Sequence, residues 1–146
     1  MEREALLSVL PECSGAVLFV CTGNTCRSPL AQVLYQKIHP EWAVFSRGLM
    51  VGQSQPASEC ALEAAHKHGC DLSGHLSRQV TLQDVLKASR VYGVTEAHVL
   101  MLRQQFPEQA GKISPLSHQD IHDPFGGDIE CYCQVASTLQ KALEAL

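Results

Sequence analysis

This chain has no excess of basic residues. Eleven Lys and Arg stand against 15 Asp and Glu, a formal net charge of −4, and no basic run occurs. Nucleic acid is therefore not an expected partner, because a polyanion needs a basic surface. Nor does any apolar stretch approach the length of a membrane span, and the opening Met1-Glu2-Arg3-Glu4 lacks the basic n-region of a signal peptide. A cytoplasmic protein with no membrane partner is expected. Among seven cysteines there is no Cys-x2-Cys pair, and the odd, scattered set reads as free thiols in a reducing compartment. Cys131-x-Cys133, His118-x3-His122 and the grouping Cys60, His66, His68, Cys70 invite a metal reading. Cys131 and Cys133 would lie on different faces of a helix, however, so no metal site and no cofactor are expected. Internal repeats and low-complexity linkers are absent too, and 146 residues make one domain with one well-buried core.

What is present centres on residues 16–30. Ala16-Val17-Leu18-Phe19-Val20 is a strand pattern that runs into a Gly-containing loop, and Ser28-Pro29 reads as an N-cap followed by the first helical residue. A strand, a short loop and a helix N-terminus form an anion cradle of backbone N–H groups and the positive end of a helix dipole. Cys21 opens the loop and Arg27 closes it. Such a cradle suits a thiolate nucleophile at Cys21, and Arg27 supplies a planar fork for two oxygens of a phosphoryl group. Together they are the parts of covalent phosphoryl transfer. Cys-x5-Arg alone also fits a buried cysteine after a core strand. The strand-to-helix setting of the whole nonamer makes the functional reading specific.

Cys21-Thr22-Gly23-Asn24-Thr25-Cys26-Arg27-Ser28-Pro29 resembles the active-site loop of the low-molecular-weight protein tyrosine phosphatase family. Asp123-Pro124-Phe125-Gly126-Gly127 resembles that family's general-acid loop, and the resemblance covers residues 16–146. Within the family, Thr25 and the Phe-Gly-Gly after Asp-Pro resemble the bacterial protein-arginine phosphatases. The resemblance implies Cys21, Arg27 and Asp123 as catalytic residues, with Thr22, Gly23, Asn24, Thr25, Cys26, Ser28 and Phe125 around the substrate. Asn24 would pin the loop through its amide, and Ser28 would cap the helix and donate its hydroxyl to Cys21. Cys26 reads either as packing or as a redox partner of Cys21. Phosphorylated proteins are the expected partners, with inorganic phosphate or a similar oxyanion in the loop. Phosphoarginine is the first substrate expectation and phosphotyrosine the second. A thioredoxin-coupled arsenate reductase is weaker, because Cys70 stands nearly alone mid-chain and Cys131 and Cys133 come too late for a relay. A phosphate-binding module without catalysis has no use for the thiol and the acid.

Residues 1–15 read as an N-terminal extension, with a helical turn or two over 4–10 stopped by Pro11, ahead of a single phosphatase domain over 16–146. Helices are expected over 28–38, 56–68, 82–88, 96–105 and 129–145, the last burying Ile129, Val135, Leu139 and Leu143. Strands are expected over 16–20, 42–46, 90–94 and 112–116. Strands alternating with helices give an α/β, three-layer sandwich with a parallel sheet. The resemblance implies four strands in order 2-1-3-4, flanked by helices, the phosphotyrosine phosphatase I type. Arg47 departs from the small residue usual there, beside the substrate-side loop 49–55.

Overall fold

The structure is a computed structural model, and it describes residues 15–146. The expected helical turns over 4–10 lie outside the described residues. Strands β1 (Ala16–Cys21), β2 (Ala43–Gly48), β3 (Arg90–Gly93) and β4 (Ile113–Pro115) form one sheet in the order β2-β1-β3-β4, and every pairing is parallel. Helices α1 (Arg27–Ile38), α2 (Glu59–Lys67), α3 (Leu82–Lys87), α4 (Glu96–Gln105) and α5 (Ile129–Glu144) connect or follow them, and a 3₁₀ segment, Pro107–Lys112, precedes β4.

The alternation of β1 divides the core in two. Val17, Phe19 and Cys21 face a layer built from Leu30 and Leu34 of α1, Ala61, Ala64 and Ala65 of α2, and Val135, Leu139 and Leu143 of α5. Leu18 and Val20 face Val85 of α3 and Val99 and Leu102 of α4. Because β1 is covered on both sides, its five residues before Cys21 read as one unbroken apolar run. All four strands end on the same side, with Cys21 level with Gly48 and Gly93 level with Pro115. A doubly wound sheet places its ligand site at that edge.

The local chemistry of the elements follows the sequence, with a few shifts. Thr81 and Asp84 form a reciprocal capping box on α3. α2 begins at Glu59, three residues later than expected, and Ser58 caps it by accepting the Ala61 N–H. Gly69 ends the α2 segment at φ +76°, the left-handed position that favours glycine. On α5, Tyr132 and Ala136 fill the core, while Ile129 remains half-buried. The expected cap on α1 is displaced. The helix begins at Arg27, with Cys26 at the cap position making no side-chain cap bond, so Ser28 lies inside the first turn and its hydroxyl bonds elsewhere.

Candidate active site

The loop from Cys21 to Arg27 forms the floor of a cleft of about 520 Å³ at the carboxyl edge of the sheet. Cys21, Thr22, Gly23, Asn24, Thr25, Cys26 and Arg27 all line it, and Asp123, Phe125 and Gly126 close it from the far end of the chain. Of the residues expected around a substrate, Ser28 alone does not line the wall. It is fully buried behind Cys21.

The floor is held by a polar network centred on Asn24, which has no solvent exposure and adopts the left-handed φ of 58°. Its Nδ2 donates to Ser28 Oγ at 2.9 Å and to Ser46 Oγ at 3.0 Å. Its Oδ1 accepts the Arg78 N–H at 3.0 Å, and its carbonyl is 2.7 Å from His75 Nε2. Asn24 is therefore both the turn residue and the pin, because a short amide tolerates this backbone region. Ser46 passes its own hydroxyl proton to Gln32 Oε1 at 2.7 Å. Ser28, already accepting from Asn24, has its proton left for Cys21 Sγ at 2.9 Å or, at longer reach, for the Arg47 carbonyl at 3.4 Å. The Asn24 N–H also points at Cys21 Sγ, 3.3 Å away. These are hydrogen-bond donors aimed at the sulfur.

Arg27 is buried, and its Nη1 donates to the Ile121 carbonyl at 3.1 Å. Its Nη2 lies 3.6 Å from Asp123 Oδ2. The Asp123 side chain is 57% exposed, so this pair is loose and partly screened. Asp123 Oδ1 accepts the Phe125 N–H at 3.0 Å, which leaves Oδ2 facing Arg27 and the cleft. Phe125, 88% exposed, stands on the rim. The α1 first turn contains no acidic residue and no side-chain cap, so nothing competes there with an anion for the positive helix end.

Cys26 is half-buried, and burial, reinforced by the charge of Cys21, pushes its thiol well above the ordinary range. Arg47 turns away from the cleft. Its Nε donates to Asp84 Oδ2 at 3.0 Å, its Nη1 donates to the Ser46 carbonyl at 2.7 Å, and its guanidinium lies over the Phe45 ring at 5.1 Å. The departure from a small residue therefore strengthens the β2–α3 side without altering the cleft wall. Among the described residues no three His, Cys, Asp or Glu side chains gather as a metal-holding group, and no helix is long and apolar enough to cross a membrane.

Several residues here escape a reading of the sequence. Pro56, Ser58 and Tyr132 complete the cleft wall, beside Gln55 at the end of the expected substrate-side loop 49–55. His75 and His98 hold the loop from outside it, with His98 Nε2 at 2.9 Å from Thr22 Oγ1. The Pro-Ala-Ser stretch and the Cys-Tyr-Cys stretch carry no local signal for such a place, because only the fold brings them to Cys21.

Comparison with known proteins agrees with this geometry. Residues 16–146 match the family described as low molecular weight phosphotyrosine protein phosphatase. The protein-arginine-phosphatase of Bacillus subtilis is 34% identical over 140 residues, covering 89% of this chain and 93% of the relative. The low molecular weight protein-tyrosine-phosphatase Wzb of Escherichia coli K12 is 32% identical over 130 residues, covering 86% and 88%. A solved YwlE arginine phosphatase, a mutant with a phosphorylated active site serine, superposes with a TM-score of 0.83 at 32% identity, covering 88% of this chain and 90% of that one.

Proposed function

The chain belongs to the low molecular weight phosphotyrosine protein phosphatase family, and from that premise we propose that it dephosphorylates phosphoarginine in proteins through a phosphocysteine at Cys21. In the proposed mechanism Cys21 Sγ attacks phosphorus in line with the leaving group. The S–P bond forms as the P–N bond breaks, and Asp123 protonates the departing guanidine nitrogen. The backbone N–H groups of the loop and the Arg27 fork carry the three equatorial oxygens through the transition state. Water then attacks the phosphocysteine, Asp123 takes its proton, and inorganic phosphate and the free Cys21 are released. Ser28 and the Asn24 N–H stabilise the sulfur as it leaves phosphorus.

The observation that carries the arginine reading is Thr25 on the cleft wall, in a loop with Asp123 across from it. A planar, polar guanidinium is served by a hydroxyl and a carboxylate at its edge. Relatives on both sides of the arginine–tyrosine division match over most of this chain. The tyrosine reading is favoured by Phe125, Pro56 and Tyr132, which offer flat apolar surface to a phenyl ring. We also propose that Cys21 and Cys26, in one loop and one cleft, form a reversible disulfide under oxidation, and that the protein works in the cytoplasm.

The test compares turnover of a phosphoarginine peptide with that of the matching phosphotyrosine peptide. The expected result is a clear preference for phosphoarginine in kcat/KM, together with no turnover of either by Cys21→Ala. Preference for phosphotyrosine would replace the first reading with the second. Residual turnover in Cys21→Ala, which leaves no side-chain nucleophile at this position, would overturn the covalent route.

A further inference from the structure

His98 lies outside the cleft wall, yet its ring links the N-cap of its own helix to the cleft floor. It is 4% exposed and occupies the third position of α4, where the Thr95–His98 pair caps the helix. The Thr95 N–H donates to His98 Nδ1 at 3.1 Å. A nitrogen that accepts from a backbone amide carries no proton, so in a neutral ring the hydrogen sits on Nε2. Nε2 then donates to Thr22 Oγ1 at 2.9 Å. Burial and the neighbouring Arg27 charge hold the His98 pKa down to about 4, against the opposing Asp120 and Asp123 carboxylates. The imidazole is therefore a neutral donor throughout the neutral range.

The same turn of helix also grips the opposite wall. The Glu96 N–H donates to Asp120 Oδ1 at 2.8 Å, three positions before Asp123. Between them Ile121 accepts from Arg27. The turn packs closely on the end of β3. A Cβ on Gly93, at the end of β3, would come within 2.8 Å of the Val99 backbone nitrogen and 3.1 Å of His98 Cβ. The first turn of α4 thus rests directly on the sheet, with one contact to the nucleophile loop and one to the acid loop.

We propose that His98 is a positioning residue, and that through Thr22 and the Glu96–Asp120 bond the N-terminal turn of α4 fixes the nucleophile loop relative to the acid loop. The inference rests on the phosphatase reading for its kinetic test but not for its spectroscopic one. Thr22 is fixed at a second atom, since its carbonyl accepts the Met50 N–H at 2.9 Å. Losing the His98 contact frees the side-chain end while leaving this backbone end in place. The loop then keeps its fold and loses its aim, and a small misplacement of reacting groups is costly in rate.

Four variants in the full chain test this: His98→Leu, His98→Gln, Thr22→Val and the double variant Thr22→Val/His98→Leu. With phenyl phosphate as substrate, each of the Leu and Val singles should lower kcat by about tenfold. The Gln variant offers an amide that can cap the helix and donate to Thr22, so it should stay within about threefold of wild type. The double variant should lose no more than about twofold beyond either single, because both remove the same bond. Losses that multiply in the double variant, or a Gln variant as impaired as Leu, would overturn the proposal. Nitrogen NMR of the His98 ring reads the bond without any turnover. Wild type should show a protonated Nε2 and an unprotonated Nδ1 from about pH 6 to 8, and Thr22→Val should speed exchange of the Nε2 proton. The opposite tautomer, or exchange unchanged in Thr22→Val, would overturn it even if the enzyme proved inactive. Wild type inert towards every phosphorylated substrate, with the tautomer as stated, would instead place the failure on the phosphatase reading.

Discussion

Asn24 Oδ1 accepts the backbone N–H of Arg78 at 3.0 Å, across 54 positions of the chain. That bond ties the Cys21–Arg27 loop to the segment between α2 and α3. The same segment supplies His75 to the Asn24 carbonyl, so one residue collects the restraints on the cleft floor.

Asn24→Ala follows from this arrangement as the most damaging small substitution in the loop. It removes both Nδ2 donors and the Oδ1 acceptor in a fully buried place. It also leaves an alanine at φ 58°, a region L-residues with no local side-chain bond avoid. The Arg78 N–H loses its Asn24 partner, and Ser28 and Ser46 each lose one donor. The expected loss is on the order of 2–4 kcal/mol in a denaturant titration, with activity reduced in parallel. Asn24→Gly relieves the backbone and not the polar groups, so it should recover less than half of the lost stability.

Most of this architecture was legible from the chain itself. β1 announces its double burial by an unbroken apolar run, α4 starts and stops at the expected residues 96 and 105, and the strand order agrees with the family resemblance. Ser28 misleads as a helix cap, though its expected bond to Cys21 is present. Ser-Pro is a sound helix-start signal, but the hydroxyl is drawn to Cys21 and Asn24, and the helix starts a residue earlier without a cap. His98 hides for the opposite reason. In the sequence it is one histidine of seven at the third position of a helix, and only the packing of α4 against β3 brings its ring to Thr22. Arg47 looks like an intrusion beside the substrate loop until Asp84 and the Phe45 ring are seen to hold it away. Local pattern carries local structure, and these three roles are settled by tertiary contacts.

Asp123→Asn separates acid catalysis from loop structure. The amide keeps an oxygen to accept the Phe125 N–H and loses the proton that a poor leaving group needs. Turnover of phenyl phosphate should fall about a hundredfold or more, and turnover of p-nitrophenyl phosphate by a much smaller factor. A plot of rate against leaving-group pKa checks this through its slope, which should steepen in the variant. Parallel lines for variant and wild type would assign Asp123 to structure.

Burial and the adjacent sulfur of Cys21 raise the pKa of the Cys26 thiol. It therefore stays protonated and does not compete as the first site of oxidation, which needs a thiolate. Peroxide should convert Cys21 to a sulfenic acid with release of water, and the Cys26 thiol should then condense with it, releasing a second water as the S–S bond forms. Wild type should regain most of its activity with a dithiol reductant. In Cys26→Ala the same exposure should leave a growing fraction as irrecoverable sulfinic acid, read by the mass of the Cys21 peptide. Equal recovery in the two proteins would restrict Cys26 to packing.

Thr25 is where substrate class can be reversed with least disturbance to phosphate binding. In the proposed mechanism the loop holds oxygens through backbone N–H groups and Arg27, which leaves the Thr25 side chain to shape the wall beside the leaving group. Its carbonyl accepts the Ser58 N–H at 3.0 Å, which fixes the backbone independently of the side chain. Next to that wall stand Pro56 and Tyr132, and an added apolar branch would extend their surface. A phenyl ring gains about 1 kcal/mol from each methylene-sized increment of buried contact, whereas a guanidinium loses a polar neighbour. Thr25→Ile should therefore raise kcat/KM for a phosphotyrosine peptide by roughly fivefold and lower it for phosphoarginine by at least as much. Inorganic phosphate inhibition should stay within about twofold, since the oxygen contacts are unchanged. A fall on both substrates with weakened phosphate inhibition would show that Thr25 shapes the cradle itself. A fall on both with phosphate inhibition intact would place the specificity elsewhere on the wall, at Phe125 or Tyr132.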